Sequence, residues 1–195
     1  MSIPDSGTDP RTRILQTAEA LFYRHGIRSI GVDRLIAESG VAKATFYRHF
    51  PSKDDLALAF IRERDAAWRA WLAATVARLA PTPRARPLAI FDAIRERFED
   101  PSFRGCAFSN SIAEVAQGDS AVHRAAAEHK RAVTAMIASY LHEAGIADAS
   151  RRNELARALM LLLDGAIVTA VREQSATAAD AARRIAATLL AGHIS

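Results

Sequence analysis

Residues 39 to 56 read SGVAKATFYRHFPSKDDL. Six side chains able to hydrogen-bond, Lys43, Thr45, Tyr47, Arg48, His49 and Lys53, fall within eleven consecutive positions. Three apolar residues, Val41, Phe46 and Phe50, are interleaved as anchors. Cations, hydroxyls and small side chains on one short helix suit a nucleic-acid groove. Lys43 and Arg48 match guanine acceptors, and Ala44 or Thr45 can touch a thymine methyl. Tyr47, His49 and Lys53, towards the helix end and beyond, suit phosphate oxygens, which set register and not sequence. Arg34, and Asp33 beside it, fit DNA contact and plain surface charge about equally.

Such a helix needs supports. From Thr12 the apolar positions Ile14, Ala18, Leu21 and Phe22 repeat at helical spacing, and His25-Gly26 ends that helix. A second helix is expected over Val32–Glu38, with Leu35 and Ile36 inward and Gly31 as N-cap. Ser39-Gly40-Val41 breaks the pattern. A third helix, about Ala42–Phe50, buries Phe46 and Phe50 at i, i+4, and Pro51 prevents its continuation. Ser52 then caps a fourth helix with Asp54 and Asp55 in its first turn. Three short helices with a tight Gly turn before the third make a helix-turn-helix, here over about residues 31–50.

The run GVDRLIAESGVAKATFYRHFPSKDDL resembles the N-terminal signature of the TetR (tetracycline repressor) family of transcriptional regulators. Gly40-Val41, Thr45-Phe46-Tyr47, His49-Phe50 and Lys53-Asp54-Asp55-Leu56 match its spacing. The close match covers about residues 11–56. Gly31 stands where that family usually has a capping Thr, Ser39 where it has Ala, and Ala42 where it has a capping Ser. Those changes weaken helix ends by about 1 kcal/mol each without removing a base-reading group. The resemblance implies an α-helical homodimer, a palindromic operator and a small-molecule inducer bound by the C-terminal core.

Composition agrees with an all-α chain. Half of the 195 residues are apolar, and Gly and Pro number only 9 and 7. Runs with period 2 are missing, so no sheet is expected. Residues 11–53 carry eight bases (Arg11, Arg13, Arg24, Arg28, Arg34, Lys43, Arg48, Lys53) against Glu19, Asp33 and Glu38. The whole chain has 26 bases and 22 acids, so the remainder is close to neutral. A basic segment on a neutral body is the electrostatic footprint of a nucleic-acid reader. Cys106 is the single cysteine, which suits a reducing compartment. The polar start MSIPDSGTDP lacks a secretory h-region, and no apolar run is long enough to span a membrane. The expected location is the cytoplasm.

The division expected is a disordered tail over 1–10, a DNA-binding domain over 11–53, and a helical ligand-binding and dimerisation domain over 54–195. The fourth helix runs to about Leu79, and PTPRARP (81–87) is the best linker candidate. Helices follow over Leu88–Glu99, Ala107–Ala116, Ala121–Ala144, Ser150–Glu173 and Thr177–Ala191, about nine in all. Trp68, Trp71, Phe91, Phe108 and Met136 are core residues by type, some of which are expected to line an effector pocket between helices four, five, seven and eight. His129 sits on the apolar stripe of helix seven, as a core histidine or a ligand contact. Asn110 and Glu114 lie one turn apart, orienting a ligand or facing water. Helix eight is apolar nearly all round, so Leu155, Leu159, Leu162, Leu163 and Ala166 need cover on every side. A partner subunit is the economical cover, with Ile185 and Leu189 of helix nine in a four-helix bundle; burial within one subunit is the alternative. Asp164-Gly165 interrupts that run, Gly permitting close helix approach and Asp164 having no evident role. Cys106 follows Gly105 near a helix start, a place for a redox sensor or for an inert small residue.

The six histidines show no metal-ligand spacing, and no GxSxG, GxGxxG or P-loop pattern occurs. No catalytic constellation, metal or cofactor is expected. The expected function is a transcriptional regulator, a repressor released or modulated by a small molecule. Two rivals are a sequence-tolerant architectural DNA binder and a small-molecule-binding protein with a vestigial DNA head. The first predicts a steep salt dependence without sequence preference.

Overall fold

The structure is a computed structural model that describes residues 9–114 and 120–193. Among them every regular element is helical: α1 (Pro10–His25), α2 (Val32–Ser39), α3 (Lys43–His49), α4 (Lys53–Leu79), α5 (Arg86–Phe98), α6 (Ala107–Glu114), α7 (Ala121–Glu143), α8 (Ala149–Glu173) and α9 (Thr177–Leu190). The expected all-α class and the nine helices agree with this. No described helix is long and apolar enough to cross a membrane.

Differences at the ends have local causes. α1 starts at Pro10, earlier than Thr12, because the Asp9 side chain accepts the Thr12 N–H and proline suits the first helical position. The rest of the expected tail, residues 1–8, lies outside the described residues, as do Val115 and Ala116 at the expected end of α6. Pro83–Ala85 form a single 3-10 turn that leads straight into α5 at Arg86.

The described chain forms two compact units. One holds residues up to Asp65 together with Ala107–Glu128; the other holds Ala66–Cys106 and everything from His129 on. Compactness therefore does not follow the consecutive order of the division expected for function. The first turns of α4, all of α6 and the start of α7 join α1–α3.

In the first unit Ile14, Ala18, Phe22, Leu35, Phe46 and Leu56 are enclosed. Phe22 and Phe60 meet edge to face at 5.6 Å. In the second unit α9 packs on α5 and α8. Leu72, Val76, Ile90, Ile94, Val133, Ile137, Leu159 and Ala186 form its core. Ion pairs pin the outside of this unit, Arg183 with Asp92 at 2.8 Å and Arg95 with Asp180 at 3.1 Å. Exposed pairs of this kind stabilise by at most about 1 kcal/mol each.

The packing of α8 corrects the expected dimer residues. Leu155, Leu159, Leu163 and Ala166 are buried inside their own subunit, and Leu162 is partly buried there. Their 3.6-residue period aims one stripe at α5 and α9, which leaves the opposite stripe outside. That outer stripe is Leu161, 74% exposed, with Val168 and Val171, and it was not foreseen. Ile185 and Leu189 of α9 are exposed. Outside its own turn of α8, no atom of the described residues lies within 4 Å of where a Gly165 Cβ would stand. Asp164 does find a role: it pairs with Lys130 of α7. Burial pulls the Lys130 ammonium down, but Cys106 and Asp164 beside it outweigh burial and hold it above the usual lysine value.

Two stability outcomes follow from this packing. Leu159→Ala should cost about 2–5 kcal/mol in denaturant unfolding, since its enclosed side chain leaves a cavity. Leu161→Ala, measured at low protein concentration, should change stability by under about 0.5 kcal/mol. Equal losses would contradict the assignment of inner and outer stripes.

Candidate nucleic-acid interface

α3 has only seven residues, and neither end carries a side-chain cap. Its N-cap, Ala42, has no side-chain oxygen, and Phe50 closes its C-terminus with a backbone bond to the Phe46 carbonyl. So short a helix is marginal in isolation, and packing must hold it. Phe46 supplies that packing. It is fully buried, with Phe50 at 6.5 Å between ring centroids. Enclosing such a side chain stabilises by about 1.5–3 kcal/mol.

Fixing Phe46 inward fixes what faces out. Lys43, Ala44, Tyr47 and Arg48 are exposed, at spacings of three and four that place them on one helix face. Thr45 and His49 flank that face and are half-buried. Tyr47 is 41% exposed despite its size, packed edge-on against Phe46 at 5.5 Å. The structure thus brings together six of the eight expected DNA-contacting residues on α3. The face has two cations, an aromatic hydroxyl and a methyl, the set a major groove accommodates.

The turn before α3 is built with care. Gly40 ends α2 at φ 64°, ψ 29°, a left-handed conformation natural to glycine. The Arg13 guanidinium of α1 donates to the Gly40 carbonyl at 2.9 Å. One bond therefore ties the first helix to the turn that sets the angle of α3. Arg13 was counted as part of a basic surface and not singled out. Only its long-range partner, 27 residues away, reveals its structural role.

Other bases in that count are also engaged. Arg11 lies over the Phe50 ring at 5.5 Å and 3.9 Å from Glu63. Arg34 of α2 donates to Glu38 at 2.6 Å, one turn on along the same helix. It lies off α3, and DNA contact would require it to leave or share Glu38. Lys53 opens α4, where its ammonium donates to the Arg28 carbonyl at 3.4 Å. Burial lowers the Lys53 pKa from the ordinary lysine value, against the pull of Asp54 and Glu114. The cations that α3 itself presents are Lys43 and Arg48.

Of the residues expected to bind a small molecule, Trp68, Trp71 and His129 come together in the second unit. Trp68 meets the buried His129 edge to face at 5.1 Å and Trp71 at 6.0 Å. Met136 is partly buried against the same core, and Phe91 is wholly inside it. Phe108 is buried and Asn110 exposed, both in the first unit. An open groove of about 940 Å³ between α7 and α8 is lined by Lys130, Thr134, Asn153 and Arg157 among others. None of the seven expected ligand residues lines it. Among the described residues no three His, Cys, Asp or Glu side chains are grouped to hold a metal ion.

Comparison with known proteins places this architecture. Residues 14–60 match the model of the bacterial regulatory proteins of the tetR family. Residues 83–188, more than half of the chain, match the C-terminal domain of LmrA/YxaF-like transcriptional regulators. The structure of SCO4454, a TetR-family transcriptional regulator from Streptomyces coelicolor, is 32% identical, covers 95% of this chain and 96% of its own, and superposes with a TM-score of 0.86. A TetR-type regulator from Streptomyces avermitilis is 31% identical over 95% of this chain and 98% of its own, with a TM-score of 0.74. The HTH-type transcriptional regulator SAB2452 of Staphylococcus aureus is 38% identical over 55 residues, which is 28% of this chain and only 29% of that protein. Two family models that between them span both ends of the chain, and a relative alike over nearly its whole length, agree with the buried Phe46 and the exposed face of α3: the chain belongs to the TetR family of DNA-binding transcriptional regulators.

Proposed function

We propose that this chain is a ligand-responsive repressor that binds a palindromic operator as a homodimer in the cytoplasm and has no catalytic activity. The observation that carries the reading is the face of α3. Lys43, Ala44, Tyr47 and Arg48 are held outward together by one buried ring. Lys43 and Arg48 read base edges, and Tyr47 and His49 set the register on phosphates. Thr45, half-buried at the rim, contributes its methyl or hydroxyl. Lys53 becomes a further phosphate contact when it leaves the Arg28 carbonyl.

The partner subunit covers the outer stripe of the second unit. Leu161 and Val168 are two helical turns apart on α8, and Ile185 and Leu189 one turn apart on α9. Two such helix pairs make a four-helix seam, and clustered exposed apolar side chains of this size mark an association surface. The effector site is proposed around Trp68, Trp71, His129 and Met136, aromatic and apolar surface with one polar ring. An effector that favours a head arrangement unable to reach both half-sites releases the DNA by population shift.

The reading has two tests. Genomic fragments selected by the full chain and measured by fluorescence anisotropy should include one palindrome bound at least about 10³-fold more tightly than bulk DNA. Arg48→Ala should cost about 1–3 kcal/mol there and relax the preference at one position in each half-site. Tyr47→Ala should weaken all sequences alike. Equal binding to every fragment would instead favour the architectural reading. Light scattering should show a dimer for the wild type. The pair Leu161→Asp and Ile185→Asp together should shift it to a monomer that keeps its helical circular dichroism. A dimer that survives both substitutions rules out this seam.

A further inference from the structure

Glu114, the last residue of α6, reaches the loop between α1 and α2 from 86 residues away in sequence. Its Oε2 accepts the Arg28 backbone N–H at 2.9 Å. On the other side of the same residue, the Arg28 carbonyl accepts from the Lys53 ammonium at 3.4 Å. One loop residue is therefore gripped at both ends, by an anion through its N–H and by a cation through its carbonyl. The approach depends on Gly26. A Cβ there would stand 2.5 Å from Glu114 Oε1, and the φ of 84° is itself glycine territory. All of these groups belong to one compact unit.

We infer that Glu114 holds Lys53 back from DNA, so that its carboxylate is a built-in restraint on the affinity of the head. This rests on the DNA-binding reading above. The competition is electrostatic. A phosphate oxygen and the Glu114 carboxylate both attract the Lys53 ammonium, and only the second is present before DNA arrives. The hydrogen bond that seats Lys53 is at the long end of the range, so it gives way readily. Glu114 therefore stabilises the seated arrangement more than the DNA-bound one, which is what a restraint must do. Asp54, also drawing on Lys53, lies beside it on α4 and is left in place in every variant of the test. Glu114 touches no DNA in this scheme; it is a positioning residue that acts through Lys53.

The test uses the full chain and separates charge from hydrogen bonding. Glu114→Gln keeps an acceptor for Arg28 but removes the charge. It should tighten DNA binding by about 2- to 5-fold at low salt. It should also steepen the plot of log affinity against log salt by about 0.9, the mark of one added phosphate contact. In a Lys53→Ala background the same change should do neither. Binding that is unchanged or weaker in Glu114→Gln, or an equal gain without Lys53, overturns the restraint. Amide exchange read by NMR checks the latch without DNA. Arg28 should exchange at least about tenfold faster in Glu114→Ala than in wild type, and Glu114→Gln should stay near wild type. An Arg28 amide indifferent to Glu114→Ala also overturns the proposal. A wild type that binds no DNA overturns the regulator reading and this proposal with it, whereas a wild type that binds DNA with a silent Glu114→Gln overturns this proposal alone.

Discussion

The Phe46 ring is wholly enclosed, and its enclosure fixes the rotation of α3 about its own axis. A seven-residue helix without side-chain caps has little stability of its own. It therefore takes both its existence and its orientation from this one burial. Turning it by a single residue, about 100°, would carry Tyr47 inward and replace the reading face with another. The bond from Arg13 to the Gly40 carbonyl guards the same geometry from the other end of the turn. The placement of the α3 cations that meet a polyanion thus depends on apolar packing.

Among the bases of the head, the fold sets apart three kinds. Arg11, Arg13 and Arg34 are spent on ring, carbonyl and carboxylate partners within the chain. Lys43 and Arg48 project from α3. Lys53 stands between the two, tied to a backbone carbonyl and within the field of an acid from α6. The inclusion of α6 in the same compact unit as α1–α3 is what makes that third kind possible. A residue far along the chain acts on the charge of the head without belonging to its sequence motif.

Much of this was legible in the sequence, for physical reasons. Phe46 and Phe50 at i, i+4, with Pro51 behind them, point inward on any helix that forms there, so the outward face could be named. Helix spacing likewise gave the other elements to within a few residues. What could not be read was anything set by a distant partner. A count of bases has no direction, so nothing in the sequence joins Arg13 to the Gly40 carbonyl 27 residues away. α8 is apolar on nearly every side, and hydropathy alone cannot say which stripe faces its own subunit. The supports from α5 and α9 turn Leu155, Leu159, Leu163 and Ala166 inward and leave Leu161 and Val168 out. Asp164, without a role on the sequence, gains one only because Lys130 of α7 lies opposite.

The central claim is that two copies of α3, each set by Phe46, read major grooves on one face of a duplex. A methylation-protection and hydroxyl-radical footprint on the selected DNA tests it most directly. The account predicts two symmetric patches of guanine N7 protection, centred about 10 base pairs apart or a multiple of that. At saturating protein, Arg48→Ala should lose protection at one guanine in each patch, and backbone protection should still flank both patches. A single continuous patch, or protection confined to the backbone with every guanine N7 still reactive, would contradict it.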